Sequence, residues 1–404
     1  MQPAIDSLNK VELLVGKSLE LDRSPLVPYS DLVCDFLHAL STRIQHHPTT
    51  REFPELATFA FWCRKGNIQQ LKHAFEQEQR SVRLGVGLVF TIAPSNVPIN
   101  FAYSLVYSML AGNANIVRVP TKAFPQVRII CECINSVLED DAFSTLRSMM
   151  AVIRYERDDE ITATLSASCN GRIIWGGDDT VSAVRSLPIP ARAREVAFAD
   201  RYSLCAIQAE ALMAHSQQLE KIVADFYNDT YLMDQRACSS PHLVAWIGPE
   251  DLVRKASQLF WQTVAKAAAN KYDLEPIKAV DKFTQLCTDA IDLPNPGKVR
   301  RYGNMLNVVS LEELPANLDN LRGSFGYFYD CRLENLEPLA SAIHETFQTL
   351  TYFGFSKEAL ADFVTRNRLR GLDRIVPIGQ ALAISSVWDG VDLIRTLSRI
   401  CDIR

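Results

Sequence analysis

One of the ten cysteines in this 404-residue chain differs from the rest in its neighbours. Cys238 lies in the polar run Met233-Asp234-Gln235-Arg236-Ala237-Cys238-Ser239-Ser240-Pro241, whereas Cys34 and Cys131 sit among apolar residues at helical spacing. A nearby cation favours the thiolate, the form of the side chain that attacks carbonyl carbon. Cys238 is therefore the candidate nucleophile; the alternative is a loop thiol that only packs. Asn96 is the second candidate, set between Pro94 and Pro98. Two prolines restrict its backbone, so its amide can be aimed as a donor at a developing oxyanion. The same residue could instead fill an Asx turn before a helix. A third segment, Trp175-Gly176-Gly177-Asp178-Asp179, puts a glycine pair between a strand and a helix. Glycines let the main chain approach a phosphate, and a helix N-terminus offers free N–H groups. They could equally serve the turn alone. His46-His47 has no partners at zinc spacing and reads as a solvated turn before Pro48, so no metal is expected.

These residues need elements to hold them. From residue 84, strand-like runs at 84–92, 116–119, 150–155 and 172–175 alternate with helical stretches at 99–110, 125–138, 159–168 and 179–186. Such alternation predicts βαβ units and a doubly wound α/β domain, which binds ligands at the carboxyl ends of its strands. Residues before 80 read as helices separated by prolines, with one apolar stripe over 59–75. After Pro188-Ile189-Pro190 a second α/β pattern begins, with a strand over 196–207, an amphipathic helix over 211–231, a strand over 242–247 and a helix over 252–272. The expected organisation is residues 1–199 as a helical preamble plus cofactor-binding domain, 200–375 as the domain presenting the thiol, and 376–404 as a tail returning to the first.

Composition narrows the classes. At this length, with 48% hydrophobic residues, the chain is neither disordered nor a small disulfide scaffold. A formal charge of -5 without a basic run argues against nucleic acid as a partner. The longest apolar run, 84–94, is about half a bilayer span, and the first residues lack a leader's basic head and apolar segment. A cytoplasmic protein without a membrane span is expected. Ten cysteines with no CxxC pair fit a reducing compartment, and the nine besides Cys238 are assigned to packing.

Several segments together resemble the aldehyde dehydrogenase superfamily. They are Ala93-Pro94-Ser95-Asn96-Val97-Pro98, Gly112-Asn113-Ala114-Asn115-Ile116-Val117-Arg118-Val119-Pro120, Trp175-Gly176-Gly177-Asp178-Asp179-Thr180-Val181, Asp234-Gln235-Arg236-Ala237-Cys238-Ser239-Ser240-Pro241, Asp373-Arg374-Ile375-Val376-Pro377-Ile378-Gly379 and Trp388-Asp389-Gly390. Within it the chain is similar to the fatty acyl-CoA reductases that include the reductase subunit of the bacterial bioluminescence complex. The resemblance implies two doubly wound three-layer α/β/α domains. It also implies Cys238 as acyl acceptor and Asn96 as oxyanion donor. Ile92, Ala93, Pro94 and Ser95 would line the nicotinamide side, and Trp175, Gly176 and Gly177 would approach the pyrophosphate. Val119, Thr121 and Lys122 correspond to the turn that holds the adenosine ribose. Lys122 replaces a carboxylate there, and with Arg118 it would favour a 2′-phosphate, hence NADPH.

The resemblance further implies acyl-CoA as substrate, a homo-oligomer (dimer or tetramer) and an acyl-protein synthetase partner. Two departures accompany it. Ala197 stands where hydrolytic relatives carry the water-activating Glu, with Glu195 two residues away, and Gly323-Ser324-Phe325-Gly326-Tyr327 replaces the stretch that grips the nicotinamide ribose. Loss of the base suits a reductase, whose acyl-enzyme waits for hydride and not for water. The alternatives are a reductase of an acyl phosphate or acyl adenylate, a cysteine acyltransferase or thioesterase without nicotinamide, and a non-catalytic partner that keeps the fold.

Overall fold

The alternation of β-branched runs with amphipathic segments is realised twice in the computed structural model, which describes residues 7–78, 81–293 and 296–404. One unit runs to Ala199 and is completed by Ile384–Arg404; the other is Asp200–Ala383.

The first unit holds a six-stranded sheet in the order Glu12–Val15, Met150–Arg154, Ala114–Arg118, Leu88–Ile92, Gly171–Trp175, Arg194–Phe198. All neighbours are parallel except the first pair. Leu88–Ile92 and Gly171–Trp175 are buried at every position, as expected for parallel strands covered on both faces. Helix Asn100–Leu110 is likewise buried throughout, which explains why its sequence lacks a polar face. The expected strand at 84–92 is two strands. Gly87 separates them with φ +123°, where a Cβ would meet Asn170 Oδ1 at 2.5 Å, and Val82–Gly85 turns away to pair with Ser398–Cys401. The preamble, whose residues 1–6 and 79–80 lie outside the described residues, is not purely helical, because Glu12–Val15 adds an edge strand to the sheet. Its 59–75 stripe is two helices, Pro54–Cys63 and Lys65–Glu78, divided where Arg64 adopts ψ 148°.

The second unit holds a seven-stranded sheet in the order Pro296–Tyr302, Leu306–Leu311, Tyr327–Leu333, Leu243–Ile247, Tyr202–Gln208, Phe347–Phe353, Arg374–Pro377, antiparallel only at the first pair. A separate apolar core lies on each face. Helices Leu219–Thr230 and Glu250–Lys271 cover one face, and Lys357–Asn367 packs on the other. This is the three-layer α/β/α arrangement.

Two boundaries move. The expected strand over 196–207 is two, Arg194–Phe198 and Tyr202–Gln208, and they belong to different sheets. The return to the first unit begins at Ile384 and not at residue 376. Arg374–Pro377 pairs with Phe347–Phe353, and the residues after it stay with the second unit through polar contacts. Asp229 accepts from the N–H groups of Gly379 (2.6 Å) and Ala381 (2.9 Å), while Arg374 donates to the carbonyls of Gln380, Ala381 and Ala383. Burial raises the Asp229 carboxyl to about 6, against the two N–H donors that favour its charge.

Candidate functional site

Helix Leu219–Thr230 ends in a tight turn, Tyr231–Met233, and the chain then takes two consecutive left-handed residues, Asp234 (φ +54°) and Gln235 (φ +60°). That reversal leads to Cys238, which is exposed, and on into strand Leu243–Ile247 in the middle of the second sheet. The thiol therefore lies at the amino end of a parallel strand, opposite to the carboxyl-end rule that holds for cofactors in such sheets. The Cys238 carbonyl accepts from Ser203 Oγ at 2.6 Å, and Ser240 Oγ donates to the Asp229 carbonyl at 2.8 Å, so the loop is tied on both sides of the thiol. Arg236 stacks its guanidinium over Phe325, 4.5 Å from the ring centroid.

The other cysteines separate clearly. Cys63, Cys131, Cys133, Cys169, Cys205 and Cys331 are buried. Burial pushes the thiols of Cys133, Cys169 and Cys331 up to about 11 and those of Cys131 and Cys205 to about 12, away from the reactive thiolate. Cys287 departs from the expectation that the remaining nine pack, because it is exposed on helix Pro276–Asp292.

Three residues beside the thiol loop were not singled out from sequence: Gln235, Ser203 and His242. Gln235 stood inside the motif that pointed to Cys238, and its four side-chain hydrogen bonds, all to main chain, have no sequence signature. His242 stacks on Tyr202 with ring centroids 5.4 Å apart, and its Nδ1 lies 3.1 Å from the Gly323 carbonyl. A carbonyl only accepts, so Nδ1 carries the proton there. Burial, with Arg322 adding to it, lowers this imidazole to about 4, so it is neutral at pH 7.

In the first unit, Ile92 is level with Arg118 on one side and Ile174 on the other, so three adjacent strands end together. The strand order reverses at Leu88–Ile92, since the chain proceeds outward through Ala114–Arg118 and Met150–Arg154 and then crosses to Gly171–Trp175. This is a topological switch point, where open α/β sheets bind ligands. The segments leaving it carry the expected cofactor residues: Ala93, Pro94 and Ser95 after one strand, Val119, Thr121 and Lys122 after the second, Gly176 and Gly177 after the third. Thr121, Lys122 and Ser95 are exposed, whereas Ile92, Ala93 and Val119 are buried and form the floor. A Cβ on Gly176 would meet Thr180 Cγ2 at 2.8 Å, so that glycine serves the turn. One on Gly177 would meet nothing within 4 Å, which leaves its main chain open at the N-terminus of helix Asp178–Arg185. Trp175 cannot offer its ring. The indole stacks on Phe198 at 3.9 Å, meets Trp388 edge-on and donates to Ser104 Oγ at 2.9 Å.

Asn96 lies in the bend after Leu88–Ile92, exposed, and among the described residues its amide makes no hydrogen bond. The Asx turn is not formed; the helix starts at Asn100 without a side-chain cap. Glu195, the acid two residues from Ala197, is held by Arg172 and by Arg185 at 3.0 Å, so both of its carboxylate oxygens are engaged by guanidinium groups. Among the described residues, no group of three or more His, Cys, Asp or Glu is placed to hold a metal ion, and no helix is long and apolar enough to cross a membrane.

Comparison with known proteins decides the family. The profile of the family described as Acyl-CoA reductase (LuxC) matches residues 53–282, more than half of the chain. The chain belongs to this acyl-CoA reductase family. No curated protein matches the sequence. Among solved structures, a variant of 1-pyrroline-5-carboxylate dehydrogenase from Thermus thermophilus is similar at 13% identity and TM-score 0.64, over 93% of this chain and 81% of that one. Glyceraldehyde-3-phosphate dehydrogenase from Methanocaldococcus jannaschii gives 12% and 0.64 over 93% and 89%. An NAD-dependent benzaldehyde dehydrogenase from Corynebacterium glutamicum gives 12% and 0.62 over 92% and 84%. At such identities the likeness establishes the fold, which is that of the aldehyde dehydrogenases. The Gly112-to-Pro120 motif, too, has a structural part in this member of the family. Asn113 accepts from the N–H groups of Val86 and Gly87 and donates to the carbonyls of Ser108 and Leu397, joining four segments of the first unit.

Proposed function

We propose that the protein reduces acyl-CoA thioesters, fatty acyl groups among them, to aldehydes with NADPH, through a thioester at Cys238. The observation that carries this is an exposed thiol on a constrained loop, in a chain of the acyl-CoA reductase family whose six buried thiols are inert. In the acylation half-reaction the Cys238 sulfur adds to the thioester carbonyl and the resulting oxyanion takes a hydrogen bond from the Asn96 amide. The carbonyl re-forms as the bond to the CoA sulfur breaks, and CoA leaves as its thiol. Bound NADPH would supply the hydride for reduction of the acyl carbon. Ile92, Ala93, Pro94 and Ser95 would flank its nicotinamide, with the open Gly177 main chain at the pyrophosphate. No residue equivalent to a hydrolytic base is needed for this reaction, which agrees with Ala197 and with the fully engaged Glu195. The test is direct: protein mixed with acyl-CoA in the absence of NADPH gains one acyl mass, and peptide mapping finds it on Cys238. An unmodified Cys238 in protein shown to form aldehyde would overturn the reading.

The choice of NADPH rests on the turn after Ala114–Arg118. Lys122 is exposed there and forms no ion pair among the described residues, and its ammonium lies 5.0 Å from the centroid of the Phe124 ring. A free cation is matched to a 2′-phosphate, and the relative from Methanocaldococcus jannaschii was solved with NADP. Lys122→Glu should raise KM for NADPH by about tenfold to a hundredfold, the worth of one charge-assisted hydrogen bond, and leave KM for NADH nearly unchanged. An unaltered ratio of the two KM values would move the discrimination elsewhere. The proposal includes assembly as a homo-oligomer and an acyl-protein synthetase as the partner that supplies acyl groups.

A further inference from the structure

Gln235 is wholly buried and has a left-handed backbone, a conformation that costs a side chain of its kind and persists where surrounding contacts impose it. Its main-chain N–H donates to the Thr230 carbonyl at 2.7 Å, and its side-chain amide supplies the rest. Nε2 donates to the carbonyls of Pro241 (3.2 Å) and Tyr327 (2.9 Å), and Oε1 accepts from the N–H groups of Gly326 and Tyr327, both at 3.2 Å. Both protons and both lone pairs are thus used on main-chain atoms. Pro241 closes the loop that begins at Gln235, so one amide fixes both ends of the segment carrying Cys238. Gly326 and Tyr327 belong to the segment that departs from the nicotinamide-ribose stretch of related dehydrogenases. The same junction is reinforced by the Phe325 N–H, which donates to the Asp234 carbonyl at 3.1 Å, and by Arg236 over the Phe325 ring. Asp234 is itself held by the Tyr272 hydroxyl at 2.5 Å and by Lys278 Nζ at 3.0 Å.

From this geometry we infer that Gln235 is a positioning residue for the acyl-transfer step, registering the Cys238 loop on the 323–327 segment. The inference rests on the reading of Cys238 as acyl acceptor. Gln235 touches neither substrate nor reacting atoms; it sets where the sulfur stands. An ångström of misplacement at a reacting centre can cost about a hundredfold in rate, whereas the intrinsic nucleophilicity of the thiol does not depend on its register.

The experiment compares two rates in the full-length protein. One is single-turnover acylation of Cys238 by hexanoyl-, decanoyl- and hexadecanoyl-CoA without NADPH, followed by intact mass. The other is alkylation of the same thiol by iodoacetamide as a function of pH. Gln235→Met, which keeps the bulk and removes all four hydrogen bonds, should slow acylation by about tenfold to a hundredfold. Gln235→Glu, which keeps acceptors for Gly326 and Tyr327 but turns a carboxyl oxygen toward the carbonyls of Pro241 and Tyr327, should slow acylation by at least about tenfold as well. Alkylation and its pH midpoint should stay within about twofold of wild type in both. If Gln235→Met does not fold, the near-isosteric Gln235→Glu supplies the same comparison. Acylation of a folded variant within about twofold of wild type, or an equal slowing of acylation and alkylation, would overturn the inference. Failure of the wild-type protein to acylate at Cys238 is a separate result, and it removes the reading on which the inference stands.

Discussion

Cys238→Ala is expected to abolish aldehyde formation, with turnover reduced by about a thousandfold or more, while the affinity for NADPH changes by less than about twofold. The size of the loss follows from the chemistry. Without a sulfur to accept the acyl group no covalent intermediate forms, and no serine nearby takes its place: the Ser240 and Ser203 hydroxyls are committed to carbonyls, and the Ser239 hydroxyl, without a base to activate it, is a far weaker nucleophile than a thiolate. NADPH binding survives because every residue assigned to the cofactor lies in the first unit, whereas Cys238 lies in the second. Stability should also survive, because the thiol is exposed and alanine leaves no cavity. Acyl-adduct mass and NADPH consumption measured on the same sample check both halves. Cys287→Ala is the internal control: that residue is the other exposed cysteine among the described residues, and its removal should leave the rate unchanged. If Cys238→Ala kept more than about a tenth of wild-type turnover while Cys287→Ala lost it, the nucleophile would be misassigned.

How far the sequence carried this assignment differs between its parts. The strands and helices of the first unit were legible because each has its own periodicity; helices Pro125–Leu138 and Asp159–Ser168 lie where their apolar spacing put them. The junction between units was not, because residues 199–201 contain neither glycine nor proline, and only the short charged pair Asp200-Arg201 separates the apolar residues of one strand from those of the next. Helix Pro276–Asp292 was passed over for a different reason. Its buried side chains include Lys282 and Asp289, the latter accepting from the hydroxyls of Tyr327 and Tyr329, while Ile277, Val280, Phe283 and Ile291 are exposed. An inverted pattern of this sort defeats a reading that places apolar residues inside. At the proposed site, Cys238 and Asn96 stand out as candidates because a polar loop thiol and a proline-bracketed amide are locally odd. Gln235 does not, since what distinguishes it is contact with Tyr327, far along the chain, through atoms that every residue has.

Asn96 provides the other large effect, and the structure makes it a clean one. Asn96→Ala should lower kcat by about a hundredfold to a thousandfold, the measured worth of one oxyanion donor, or about 3–4 kcal/mol of transition-state stabilisation. KM should change little, because the donor serves the tetrahedral oxyanion more than the planar thioester. Most buried amides cannot be tested in this way, since their removal strands hydrogen-bond partners and costs stability as well. Asn96 is exposed and its amide is unused within the described chain, so the variant should unfold at the wild-type temperature within about a degree. Its place is set by the backbone: Pro94 and Pro98 restrict the segment, and strand Leu88–Ile92 anchors it in register with both neighbours. Asn96→Asp should be at least as damaging as alanine, because a carboxylate there opposes the developing negative charge and has no N–H to offer. Single-turnover acylation should fall by the same factor as kcat for both variants if addition of the thiol is the step the amide assists. A kcat within about threefold of wild type would remove Asn96 from the oxyanion site and leave its exposed, unpartnered amide without a chemical role.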